Sequence, residues 1–213
     1  QWYAKNIAKQ PSVEKKIRVG TTEFEMVLIP PGKFWMGAPE KEGARQEDEI
    51  RHKVLITKAF WMQKTEITQK QWRQITGKTP WKEASAIKKY VTEGDEYPAI
   101  YIKWDEIEKE FLPNMNKNKS EFLPGQEGKW VLPTEARWEY ACRAGTTSRF
   151  YWGESYEKMG EYANFGDQKF KEMFPQDYDS WVKLKQYTLM PTEINDGSAK
   201  QAEVEKFSAN AFG

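Results

Sequence analysis

The chain has 213 residues, enough for one large domain or two small ones, and its 33 Lys and Arg balance 32 Asp and Glu to a formal net charge of +1. That balance removes the counterion-release argument for nucleic acid, while one Cys and one His exclude an intramolecular disulfide, a cysteine metal cluster and a histidine-rich site. Hydrophobic residues make up only 38%, yet aromatics reach 15% with 10 Trp, which predicts much irregular backbone pinned by large rings.

Residues Gln1 to Arg18 are polar and basic (Lys5, Lys9, Lys15, Lys16, Arg18) and are expected to form a solvated lead-in arm with room for a short helix. The arm is bounded at residues 1–21, and the domain at 22–213. From Thr22, apolar Phe24, Met26 and Leu28 fall at every second position and predict a strand that ends at the turn Pro30-Pro31-Gly32. Lys33 to Gly37 returns as a second strand, so the two are expected to form a hairpin-like unit. Glu40 to Arg51 reads as a charged loop, His52 to Thr57 as a strand, and Ala59 to Met62 as its aromatic continuation.

Thr68 with Gln71 three residues later is a capping-box pattern, predicting a helix with Trp72 and Ile75 inward and an end at Gly77. Thr79 to Glu96 is a surface connection with a helix around Lys82 to Val91. Tyr97 to Ile102 is extended, because Pro98 biases its predecessor away from helix. Trp104 opens a second helix, with Ile107 and Phe111 four apart and Pro113 limiting it. Asn114 to Gly128 is a polar loop, and Trp130 opens a strand. Thr134 then caps a helix from Glu135, with Trp138 and Ala141 on one face, Cys142 beside them, and Gly145 ending it in a left-handed conformation. Beyond Gly153 regular signals are few. No repeat, linker or membrane-length apolar run interrupts the chain, so one domain with no membrane contact is expected.

An ordered set of short motifs is more specific than these periodicities. It runs Met26-Val27-Leu28-Ile29-Pro30-Pro31-Gly32-Lys33-Phe34-Trp35-Met36-Gly37, then His52-Lys53-Val54, Phe60-Trp61, Glu66-Ile67-Thr68, Tyr97-Pro98 and Trp104-Asp105. It continues with Leu132-Pro133-Thr134-Glu135-Ala136, Trp138-Glu139-Tyr140-Ala141, Tyr151-Trp152-Gly153-Glu154 and Ala163-Asn164. From Thr22 to Gly213 this resembles the formylglycine-generating enzyme family, also called the sulfatase-modifying factor domain. The resemblance implies an α+β, formylglycine-generating-enzyme-like (C-type-lectin-like) domain with low regular secondary structure.

In the family's enzymes, a pair of cysteines binds copper(I) and uses dioxygen to convert a sulfatase cysteine into formylglycine. Copper(I) wants soft thiolates in pairs, and a chain with one Cys does not supply a pair. The resemblance places those cysteines after the Asn210-Ala211-Phe212-Gly213 segment. No catalytic residue and no copper site are therefore assigned in this chain. Cys142 reads as a small core hydrophobe, and His52 as a packing or hydrogen-bonding group at a strand start.

The resemblance also implies one structural calcium site, held by the Asn164 side chain, the Phe165 carbonyl, the Asp179 carboxylate and the Trp181 carbonyl, all hard oxygen ligands. Read by itself, Asn164 is an Asx-turn residue and Asp179 an ordinary surface acid, with Asp167 and Asp177 as nearby competitors. The expected role is a non-catalytic protein-binding or scaffold module in the bacterial cytoplasm, within a regulatory or defence-related complex. The partner is another protein rather than nucleic acid, and exposed Trp81, Trp181 and Tyr187 are candidate anchors. The alternative is the N-terminal portion of a copper-dependent formylglycine-generating oxidase.

Overall fold

Val19 and Thr22 face each other across a tight turn, and that pairing sets the first sheet: β1 (Glu14–Val19) lies antiparallel to β2 (Thr22–Ile29), which on its other side pairs with β5 (Phe60–Gln63). The computed structural model describes residues 13–43, 45–83, 85–117, 128–183 and 194–213, the side chains of 86, 87 and 181–183 excepted. Residues 1–12 of the predicted arm lie outside this range, but its remainder is not a solvated arm. Ile17 and Val19, two apart, are buried on the core side of β1. The interleaved charges Lys16 and Arg18 reach across the ladder to Glu23, so the basic run is the outer face of a strand.

The predicted pairing of the next two strands also fails. β3 (Gly32–Met36) leaves the first sheet and pairs antiparallel with β4 (His52–Ile56) in a separate two-stranded sheet. The break falls at Pro30-Pro31, where two consecutive residues lack the N–H a ladder requires.

Chain contacts divide the molecule into two compact units, each drawn from separated stretches. The first comprises residues 1–64, 112–154 and 209–213. Its core is Val27, Ile29, Ile56, Tyr140, Ala141, Ala144 and Phe212, with Phe34, Val54, Phe60 and Met62 packed against it. The strand expected at Trp130 is absent. The Asn116 side chain accepts from Trp130 N at 2.9 Å and donates to Trp130 O at 3.0 Å, doing for one residue what a neighbouring strand would do. The Trp130 ring meanwhile packs on Phe24, 5.2 Å between centroids.

The second unit comprises residues 65–111 and 155–208. Here α1 (Gln69–Thr76) forms with the predicted capping box, Thr68 and Gln71 each accepting from the other's backbone, and ends at left-handed Gly77. Trp72 stacks flat on Phe111 at 4.9 Å. A short helix α2 (Pro80–Glu83) and a 310 turn (Ser85–Tyr90) occupy the predicted surface connection. Helix α3 (Trp104–Glu106) widens into a π-type turn over Ile107–Phe111, ahead of Pro113, whose ring cannot accept a regular helical ladder. In the first unit, Leu112–Lys117 forms α4.

Four further helices correct the reading of the second half. α5 (Glu135–Arg143), in the first unit, starts at Thr134 as expected, but its buried face is Tyr140 and Ala141 while Trp138 is 56% exposed. The second unit forms α6 (Met159–Tyr162), α7 (Gln168–Met173) and α8 (Pro175–Lys183) where the sequence carries few regular signals. Their apolar anchors are aromatic. Tyr90, Phe170 and Phe174 meet at centroid distances of 5.0 to 6.3 Å, a cluster that no helical period announces.

Candidate functional site

In the first unit the chemistry gathers around α5. Glu139 Oε1 accepts from Gly37 N at 3.0 Å and from Arg143 Nε at 2.7 Å. Arg143 spends its other guanidinium nitrogens on the carbonyls of Gly37 and Ser148. The pair stands one helical turn apart, so α5 presents both charges to the same loop. Gly37 has φ +85°, and a Cβ there would fall 2.8 Å from Ile50 O. A Cβ at Gly32 would collide with the Tyr140 hydroxyl. The glycines are thus the positions where β3 and its end approach other atoms most closely. Glu139 Oε1 and the three Arg143 nitrogens in this cluster are thus engaged with each other and with the backbone of Gly37 and Ser148.

Cys142 lies on the same helix, half-buried. Burial pushes its thiol up, against the opposing pull of the Arg143 guanidinium. A nucleophilic or metal-binding cysteine needs the reverse shift. His52 is exposed at the start of β4, its Nδ1 2.8 Å from Ile50 O, so that nitrogen carries the proton and the ring braces a loop.

In the second unit the polar centre is a pair of carboxylates. Asp167 is fully buried: Oδ1 caps α7 through Phe170 N at 3.0 Å, and Oδ2 accepts from Asp196 N at 2.6 Å. Asp196, 6% exposed, accepts from Phe165 N at 2.9 Å and Ser198 N at 2.7 Å. Desolvation pushes the Asp196 carboxyl up, the charge of Asp167 adds to it, and the two backbone amides and Lys206 oppose. Lys206 Nζ reaches Asp196 O at 2.9 Å and also the Ser198 hydroxyl.

This bears directly on the implied calcium ligands. Asn164 and Phe165 are brought together with Lys200 and Asp196: Asn164 Nδ2 donates to Lys200 O at 2.6 Å, and Phe165 N to Asp196. Asp179 stands on α8 and faces solvent, and the side chain of Trp181 is outside the described residues. The carboxylate beside Phe165 is that of Asp196, and its turn already receives an ammonium group. The described hydrogen bonds tie Asn164 and Phe165 to Lys200 and Asp196, and the four implied donors are hard oxygens of the kind calcium takes. The signal for Asp196 was present as Asn195-Asp196-Gly197-Ser198, a turn sequence whose side chains favour local amides. Among the described residues, no group of three or more His, Cys, Asp and Glu side chains is arranged to hold a metal.

Of the aromatic anchors expected at the surface, Trp81 is 1% exposed and belongs to the core, a correction to the sequence reading. Its helix packs the ring inward, which a four-residue helix shows no periodicity to reveal. Tyr187 and the Trp181 side chain lie outside the described residues. The large exposed rings are instead Trp35, Tyr101, Trp104 and Trp138.

A family model described as the sulfatase-modifying factor enzyme 1-like domain matches residues 10–213. Formylglycine-generating enzymes of Mus musculus and Bos taurus are each 22% identical over 186 residues, covering 68% of this chain and 47% of theirs. The chain thus spans about half the length of these curated relatives. Among solved structures, PvdO from Pseudomonas aeruginosa is similar with a TM-score of 0.64 and 20% identity, over 96% of this chain and 70% of that one. Variable protein 1 of Treponema denticola is similar with a TM-score of 0.54 and 21% identity, over 74% and 66% of the two chains. At such identities the structural likeness establishes the fold, and function must be argued from the site.

Proposed function

The chain belongs to the sulfatase-modifying factor enzyme 1-like family, and from that premise we propose that it serves as a non-catalytic protein-binding or scaffold module. The observation that carries this reading is the set of exposed aromatic rings among the described residues. Within the 213 residues Cys142 is the one thiol, and burial on α5 pushes it up. Copper(I) oxidation of a substrate cysteine needs paired, accessible thiolates. The exposed rings of Trp35, Trp104 and Trp138 support a binding role, because large aromatics are the residues that anchor protein partners. The setting we propose is a bacterial regulatory or defence-related complex, and the bacterial origin of both structural relatives supports the first part of it. Among the described residues no helix is long and apolar enough to cross a membrane.

A second reading, a portion of a copper-dependent formylglycine-generating oxidase, is favoured by the names of the two mammalian relatives. One experiment separates the two. The complete gene product is loaded with copper(I) and given a Cys-x-Pro-x-Arg peptide in air, and the peptide is weighed by mass spectrometry. The module reading expects neither stoichiometric copper(I) binding nor a formylglycine product. Turnover would refute it in favour of the oxidase.

A further inference from the structure

The outer face of the two-stranded sheet is chemically unlike its inner face. Inward, Phe34 packs at 5.2 Å from the Tyr140 ring, and Val54 and Ile56 join the core. Outward, the register pairs Lys33 with Leu55 and Trp35 with Lys53, so these four side chains share one face. Leu55 is 66% exposed and Trp35 41%. Arg51 joins them, its guanidinium carbon 5.1 Å from the Trp35 ring centroid, and Lys53 Nζ stands at 5.0 Å. Among the described residues, Lys33, Arg51 and Lys53 enter no ion pair, whereas Lys16, Arg18, Lys64, Arg143 and Arg149 of the first unit do.

The face thus combines unneutralised positive charge with exposed apolar surface. Its edge is open as well. Among the described strands, β4 pairs only with β3, so the N–H and C=O groups on its far side have no ladder partner. A strand laid on that edge would set every second side chain over the outer face, opposite Arg51, Lys53 and Leu55 in turn.

We propose that this edge and face form a docking site for an extended acidic segment of a partner protein, with carboxylates two residues apart and an apolar side chain two further on. The carboxylates meet Arg51 and Lys53, the apolar side chain meets Leu55, and the added backbone completes the ladder. A single-stranded nucleic acid fits less well. The Trp35 ring on which a base would stack is already engaged by two cations, and a phosphate backbone cannot pair with an open strand edge. The unpaired cations also repel a second copy of the same edge, which disfavours self-association.

This proposal rests on the protein-binding reading, and its test is independent of the oxidase assay. The 213-residue protein is titrated with two peptides that alternate Asp, Glu and Leu with Thr, one in each chain direction, and Trp fluorescence is followed. Saturable binding by at least one is expected, weakening roughly tenfold or more in Lys53→Glu and on raising salt past the level at which the screening length falls to a few ångströms. A Lys-substituted peptide and a thymidine oligonucleotide serve as controls and are expected not to bind. Absence of binding by both acidic peptides, equal affinity in Lys53→Glu, or tighter binding of the oligonucleotide would overturn the proposal. Formylglycine production would instead overturn the module reading. Lys53 is exposed and makes no ion pair in the described structure, only a contact with the Trp35 ring, so unchanged thermal unfolding of the variant confirms that binding alone is being read.

Discussion

At the end of β3, a carboxylate and a guanidinium one helical turn apart grip the backbone of Gly37; in the turn after Asn195, two carboxylates meet and are held by backbone amides. Both are polar clusters that close a loop, and both are largely removed from water. Glu139 and Arg143 cancel each other, so the first cluster has no net charge to desolvate. Asp167 and Asp196 share a sign, and their adjacency is tolerated because amides of Phe165, Phe170, Asp196 and Ser198 point at their oxygens, with Lys206 on the Asp196 carbonyl. Loop closure therefore needs enough donors aimed at each oxygen, and those donors need not carry charge.

The difference can be broken from either side. The largest effect is expected from Arg143→Met, which leaves Glu139 partly buried without its cation and frees the carbonyls of Gly37 and Ser148; the loss should be about 3 kcal/mol in urea unfolding. A loss near zero would show that the clamp is ornamental to the fold. Asp167→Asn is the matching change in the other cluster. It keeps the cap on α7 but can turn an amide N–H toward Asp196 N, and about 2 kcal/mol is expected from the one donor left without an acceptor. If it costs more than Arg143→Met, the ranking of charge over amide is reversed.

Lys206→Met is smaller, about 1 kcal/mol, because the ammonium sits at the exposed side of its turn. It sharpens the comparison when repeated with millimolar calcium and with a chelator. The wild-type unfolding temperature should ignore both, since the turn carries its own cation. A calcium-dependent rise in the wild type would make the Asn164 turn a metal site. The smallest change needs no mutation. Cys142 should react with a disulfide reagent more slowly than free cysteine at pH 8, and its rate should keep climbing past pH 9, because burial raises the thiol. A plateau below pH 8 would indicate a poised thiolate and weaken the module reading.

The same pair of clusters shows what a sequence discloses. Glu139 and Arg143 stand one turn apart on the helix that Thr134 caps, so their mutual spacing follows from helical periodicity, while their grip on Gly37, 102 and 106 positions away, does not. Asp167 and Asp196 are 29 positions apart, and their partners are backbone groups that every residue possesses. No spacing joins them, so the contact between Asp167 and Asp196 is not legible in the sequence. β1 was missed for a related reason: two buried residues among basic ones form too short an alternation to stand out. The capping box of α1 and the helix at Thr134 were legible because each is a local contract between residues three or four apart. Trp138 turned outward and Trp81 inward because the period of a helix gives relative directions, and only packing decides which direction is inside.

Asn210 donates its side-chain amide to the carbonyls of Ala141 and Cys142, and Phe212 lays its ring 5.7 Å from that of Tyr140. The C-terminal end of α5 is thus finished by residues synthesised almost seventy positions later. A ribosome adding residues in order completes this helix at Arg143 and must add the 155–208 stretch of the second unit before supplying what seals it. During that interval the end of α5 and the underside of Tyr140 stay open to water. A polypeptide arrested between residues 154 and 209 should therefore expose this helix to proteases and chaperones, and release of the next few residues should close it abruptly.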